Sequence, residues 1–222
     1  MNKLDNKIFC FIKFGPEEHL LNLRDYGELY FNVPKNFNNY NNLQRGDLYE
    51  GSEWILNTEF SKIEVEHPSI GRFKIIPNKG DLGRLIQYNY TYLSYSLYTI
   101  STYTFAESLQ HQIDDSLLQF GDSALLIKEP YKFLNKISRY FIQHGIQFKM
   151  NFVKYIDFTK KGKINTNPFN KKLDHSHQME FRIIIKNLNN APEKMRVGGI
   201  HDYSSLLESK SIIEMKWLAQ KK

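Results

Sequence analysis

The stretch HQMEFRIII, His177 to Ile185, sets a glutamine and a glutamate two residues apart in a run that otherwise reads as a strand. Side chains alternate across a strand, so Gln178, Glu180, Arg182 and Ile184 would share one face, and Met179, Phe181, Ile183 and Ile185 the other. Two polar side chains about 7 Å apart then aim into the same space. A cationic reaction centre needs such a pair. The carboxylate stabilises an oxocarbenium ion or holds a hydroxyl, and the amide orients the incoming group. The plainer alternative is a wet outer face on which Glu180 and Arg182 make a surface ion pair of little worth.

Three other segments carry side chains with chemical potential. In QRGDLYEG, Gln44 to Gly51, the charged residues Arg45, Asp47 and Glu50 lie among two glycines. Glycines let backbone approach a ligand closely, and an arginine forks onto phosphate or carboxylate; a tight turn with surface salt bridges is the alternative. In the tyrosine-rich run, Ser94 and Ser96 share a face with Tyr92 and Tyr98. That face is either a hydroxyl floor for a polar ligand or an amphipathic strand with aromatic cross-strand pairs. In DHSHQME, His175 and His177 would share a face and could hold zinc with Asp174, but Glu180 has the opposite parity and three well-placed ligands are not evident. No metal is expected. The chain has no glycine-rich phosphate loop of Walker or Rossmann type and no nucleophile elbow.

The elements that must position these residues are well punctuated. IFCFIKF alternates as a strand; GPEEHLLNLRDYG reads as a helix of about ten residues with Pro16 at its first position, Glu17 and Glu18 at its positive end and Gly27 as its left-handed stop. ELYFNVP resumes extended structure, and the Asn-rich FNNYNNLQRGDLYEGSE is a loop. Extended pieces follow around Glu53–Ile63 and Gly71–Ile76, then one long strand in QYNYTYLSYSLYTIST and a short one in SALLIKE. PYKFLNKISRYFIQHG is the second helix, with Phe133, Ile137 and Phe141 as its core stripe. NFVKYIDF and HQMEFRIIIK read as strands, and the tail as a short strand, a turn and a last strand or helix. Two main helices among seven or more strands make an α+β chain of mainly antiparallel sheets, and 222 residues without a repeat or linker suit a single domain over 1–222.

Composition bounds the rest. With 41% hydrophobic and 24% charged residues the chain is globular, and a single cysteine, Cys10, excludes an internal disulfide framework. No signal peptide or run of roughly 18 apolar residues is visible, so a cytoplasmic protein without membrane contact is expected. The net charge of +6 permits a polyanionic partner, although runs such as Lys160, Lys161 and Lys163, or Lys171 and Lys172, equally describe a solvated basic surface.

FIKFGPEEHLLNLRDYGELYFNVPKNF resembles the strand–helix–strand opening of the ADP-ribosyltransferase superfamily, including its nucleic-acid-modifying bacterial toxins. RGDLYEG, FGDSALLI, HQMEFRIII and MRVGGIHD are also similar to a loose set of uncharacterised bacterial and phage proteins. The transferase resemblance implies that Glu180 is the catalytic acid and Gln178 orients substrate, with NAD as the cofactor split. It implies a cation on the first strand, where only Lys13 stands, with Arg45 as a substitute from the loop. It also implies a Ser-Thr-Ser strand, for which Ser101-Thr102 is the nearest text and Ser94 or Ser96 are alternatives; Tyr98 and Arg182 complete the expected cofactor contacts, Arg182 being also an anchor for the Glu180 carboxylate. The implied function is ADP-ribosyl transfer to a macromolecule, nucleic acid before protein, by a toxin or phage-defence factor with an antitoxin or regulator as a further partner. The competing expectation is a non-enzymatic module that binds nucleic acid or protein through its basic, tyrosine-rich surface.

Overall fold

Six antiparallel strands form the central sheet in a computed structural model that describes residues 6–38, 46–58, 63–75, 83–186, 189 and 191–220. They are β1 (Ile8–Gly15), β2 (Tyr92–Ser101), β3 (Ser123–Ile127), β4 (Phe148–Phe152), β5 (Glu180–Lys186) and β6 (Ser204–Glu208), arranged β4-β5-β2-β1-β3-β6. Every pairing in this sheet is antiparallel, and the architecture is α+β.

Helices α1 (Glu17–Tyr26) and α2 (Pro130–Gln143) cover one face. Leu20 and Leu23 from α1, and Phe133, Ile137 and Phe141 from α2, pack on Phe11, Leu97, Leu125, Phe181 and Ile183 of the sheet. The stripe at i, i+4 and i+8 in α2 is thus fully buried, as its spacing requires. Pro16 stands just before α1 rather than at its first residue, a one-position shift, and its carbonyl accepts from His19 and Leu20. Gly27 ends α1 at φ 65°, and a Cβ there would lie 2.2 Å from the Gly198 carbonyl oxygen, so only glycine suits the site.

The opposite face is divided. At one end Ile12, Tyr98, Ile100 and Ala124 pack with Ile113, Leu117 and two residues of α3 (Ser209–Glu214), Ile212 and Ile213. At the other end lies a smaller three-stranded sheet (Gly162–Asn165, Ser52–Asn57, Arg84–Tyr88) with its own core of Tyr49, Ile55 and Phe158.

The element boundaries correct the sequence reading in three places. The long tyrosine run is two strands, Arg84–Tyr88 and β2, which belong to different sheets. NFVKYIDF divides between β4 and a strand Lys154–Ile156. HQMEFRIII is not one strand: a 3-10 helix occupies Leu173–Gln178, and β5 begins only at Glu180. Among the described residues no helix is long and apolar enough to cross a membrane.

Candidate functional site

The central sheet forks. Strands β1 and β2 pair from Ile8↔Ser101 to Ile12↔Tyr98 and then part. Beyond that rung β1 continues against β3 to Gly15↔Ser123, while β2 continues against β5 to Tyr92↔Lys186. Lys13, the first β1 residue past the last rung, spans the gap: its ammonium donates to the Ser96 carbonyl at 2.7 Å and lies 4.5 Å from the Tyr95 ring centre. A cavity of about 250 Å³ opens here, lined by Lys13 and Phe14 from one branch, Ser94, Ser96 and Tyr98 from the other, and by Lys171, Gln178 and Glu180. Six of the residues expected from the sequence therefore meet in one place.

Glu180 pairs with Tyr98, at the root of the fork, and is only 5% exposed. Its Oε1 accepts from Ser96 Oγ at 2.5 Å and from Arg182 Nε at 2.7 Å, and its Oε2 accepts from Lys171 Nζ at 3.2 Å. Its backbone N–H donates to the Tyr155 hydroxyl at 2.9 Å. Burial pushes the Glu180 carboxyl up, but the charges of Arg182 and Lys171 and the hydrogen bonds from Arg182 and Ser96 outweigh it and hold the group well below the usual carboxylate range. The cavity wall therefore carries a fixed negative charge at neutral pH.

Gln178 reaches the same cavity by a route that strand parity does not provide. Met179 adopts a left-handed conformation at φ 37°, the only non-glycine residue with positive φ among the described residues. That turn ends the 3-10 helix and redirects the chain into β5. Met179 consequently points away from Phe181, toward Tyr98, whose hydroxyl donates to Met179 Sδ at 3.5 Å. Gln178 and Glu180 are joined by Lys171, whose ammonium donates to Gln178 Oε1 at 2.7 Å as well as to Glu180. The Gln178 Nε2 donor is buried without a partner among the described residues. Lys171 was invisible as a site residue, since its sequence signal is a basic pair that describes a solvated surface, yet it is 8% exposed.

Arg182 corrects an expectation. It does not line the cavity, because its guanidinium is occupied elsewhere: both terminal nitrogens donate to Glu50, at 2.7 and 3.0 Å, and one also to the Pro168 carbonyl. Its part is to hold Glu180 in place rather than to touch a ligand. Glu50 comes from the turn that follows the arginine–glycine–aspartate segment, closed by Gly51 at φ 77°, where a Cβ would press within 2.7 Å of the Tyr90 ring. Burial pushes the Glu50 carboxyl up, Arg182 and Lys171 oppose this, and the nearby Asp47 and Glu180 charges add to the rise. Arg45 lies outside the described residues.

Lys13, on β1, has a pKa that burial lowers to about 8 against the pull of the Glu180 charge. The Tyr98 hydroxyl meets His111 Nε2 at 2.7 Å, and burial pushes its ionisation well above the ordinary tyrosine value. His175 and His177 sit on the 3-10 helix with ring centres 6.4 Å apart. Among the described residues no three histidine, cysteine or carboxylate side chains gather as a metal site would require.

Compared with known proteins, the chain matches no protein-family model, no curated protein and no solved structure.

Proposed function

We propose that the chain splits NAD at the fork cavity and transfers ADP-ribose to a macromolecular acceptor. The observation that carries this reading is a buried carboxylate, held ionised by two cations and a serine hydroxyl, on the wall of a cavity where the sheet divides. A volume of about 250 Å³ lies below the roughly 300–1,000 Å³ of sites that enclose a whole ligand, so it suits one end of a dinucleotide, the rest lying along the open branch. Gln178 adds a polar side chain to the lining, Phe14 and Tyr98 offer apolar walls, and Lys13 offers positive charge.

In the proposed reaction the bond from ribose to nicotinamide breaks with its electron pair leaving on nicotinamide, a lone pair of the acceptor bonds to the same carbon, and the acceptor's proton passes to water. Glu180 lies where it would stabilise positive charge developing on the ribose, and being already ionised it needs no reorganisation to do so. Ser96 and Arg182 fix the orientation of its Oε1, and Lys171 ties Oε2 to Gln178.

Incubation with labelled NAD and RNA, DNA or protein tests the reading. Nicotinamide release with label on the acceptor is expected, and Glu180→Gln should lower the rate by at least about a hundredfold. No release from the wild-type protein, or a Glu180→Gln variant that behaves like it, leaves the competing expectation of a binding module without chemistry.

A further inference from the structure

Strand β4 is an outer edge of the central sheet, and three adjoining hollows follow it. The first, about 220 Å³, shares Lys149, Pro168 and Ile184 with the second, about 370 Å³. The second shares Asn151, Phe152 and Lys154 with the third, about 580 Å³, and the third ends on Glu180, which also walls the fork cavity.

The charge along this path has one sign. Lys186, Lys149 and Lys154 line it, all exposed and none in an ion pair among the described residues. Apart from Glu180 at its end, no acidic side chain among the described residues lines any of the three hollows. Aromatic rings alternate with the lysines: Phe169 and Phe152 are half-buried, while Tyr103 stands 62% exposed against the edge of Phe152 at 5.9 Å. In the last hollow the Thr99 hydroxyl is buried, at 2% residue exposure, without any partner.

We infer that this path is a track for single-stranded nucleic acid that leads a nucleotide to Glu180. Unpaired ammonium groups neutralise successive phosphates, and exposed rings stack on bases, a combination that neither a neutral ligand nor an acidic peptide uses in full. The track's role as the acceptor path rests on the transferase reading above; binding to the track does not.

The test is the anisotropy of a fluorescent twelve-nucleotide single strand, as RNA and as DNA, titrated with the full chain at several salt concentrations. Binding should weaken with salt, and the triple substitution Lys149→Gln, Lys154→Gln, Lys186→Gln should lower the slope of log affinity against log salt by about 2, since each phosphate contact on a single strand contributes about 0.7. Tyr103→Ala should weaken binding about tenfold and leave the slope unchanged. All these side chains are exposed, so the variants should fold, with circular dichroism as the check. An unchanged salt slope in the triple variant overturns the track. So does a poly-glutamate competitor that displaces the strand at equal charge concentration while Tyr103→Ala has no effect, an outcome that assigns the path to an acidic protein. Binding with the expected dependences but no nicotinamide release overturns the transferase reading and leaves the track standing.

Discussion

Phe181 and Arg182 are neighbours on β5, and both are almost wholly buried. Phe181 faces the helices, its ring centre 5.2 Å from those of Phe11 and Phe152. Arg182 faces the other way, into two carboxylates. The two residues fill their surroundings by different physics. A ring in an apolar layer gains from every contact separately, so removing one neighbour leaves the others intact. A guanidinium between Glu50 and Glu180 is stabilising only while the whole set is complete, because each buried charge was taken out of water at a cost its partners must offset. The helix face is therefore tolerant and the fork face brittle, and brittleness sits where a fixed charge is needed.

The sharpest way to break that contrast is Arg182→Met. It leaves Glu50 without an ion pair among the described residues and Glu180 with Lys171 as its one remaining salt bridge, and a loss of about 4 kcal/mol in urea unfolding at pH 8 is expected. At pH 5 the loss should shrink by a kilocalorie or more, since the stranded carboxyls can then take up protons. Equal losses at both pH values would show that the arginine acts by packing its stem, not by charge. Phe133→Ala, on the helix face, should cost about 3 kcal/mol. That cost should be the same at pH 5 and pH 8, because the helix-face layer that Phe133 joins is built of apolar side chains.

Lys13 gives a smaller effect of opposite sign. It holds its proton only up to about pH 8 in the folded chain but to 10.5 when unfolded. Between those values the unfolded chain binds more protons, so stability rises with pH across the window. A gain of about 1–2 kcal/mol between pH 7.5 and 9.5 is expected for the wild-type chain, and Lys13→Met should abolish it. Persistence of the rise in the variant would mean that the ammonium is better solvated than the fork geometry implies.

How much of this the amino-acid sequence discloses follows the same division. Signals confined to a few neighbours are faithful: the acidic start and glycine stop of α1, the Phe133–Ile137–Phe141 stripe of α2, and the alternation in Phe181, Ile183 and Ile185 that buries them under the helices. Glu180, Ser94, Ser96 and Tyr98 could be named because a strand face can be read from alternation alone, whereas Lys13 could be named only through the family resemblance. What stayed hidden depends on distant chain. Glu50 meets Arg182 across 132 positions, and the fork exists only because β1 and β2 follow different partners after their last shared rung, Ile12↔Tyr98. The left-handed turn at Met179 has no local mark either, since methionine is not a residue that favours it and the preceding 3-10 helix lacks a side-chain cap.

A last comparison separates burial from pairing. Glu28 sits between Lys194 and Arg196, at 3.3 and 3.0 Å, as Glu180 sits between Lys171 and Arg182. The chemistry is the same, and both carboxyls are held below their ordinary value. The difference is water: the side chains of Lys194 and Arg196 are 60% and 63% exposed, whereas those of Lys171 and Arg182 are 10% and 3% exposed. Exposed cations are screened and must give up side-chain freedom to hold one geometry, so Glu28→Gln should cost less than about 1 kcal/mol. That cost should vanish in 1 M salt, where the screening length falls to about 3 Å. Glu180→Gln should cost more and keep most of its cost in salt, because a carboxylate only 5% exposed and its buried partners are screened far less than surface charges. If urea unfolding in low and high salt gave the two variants the same response, pairing alone would explain both sites, and the fork would lose its claim to an electrostatic environment of its own.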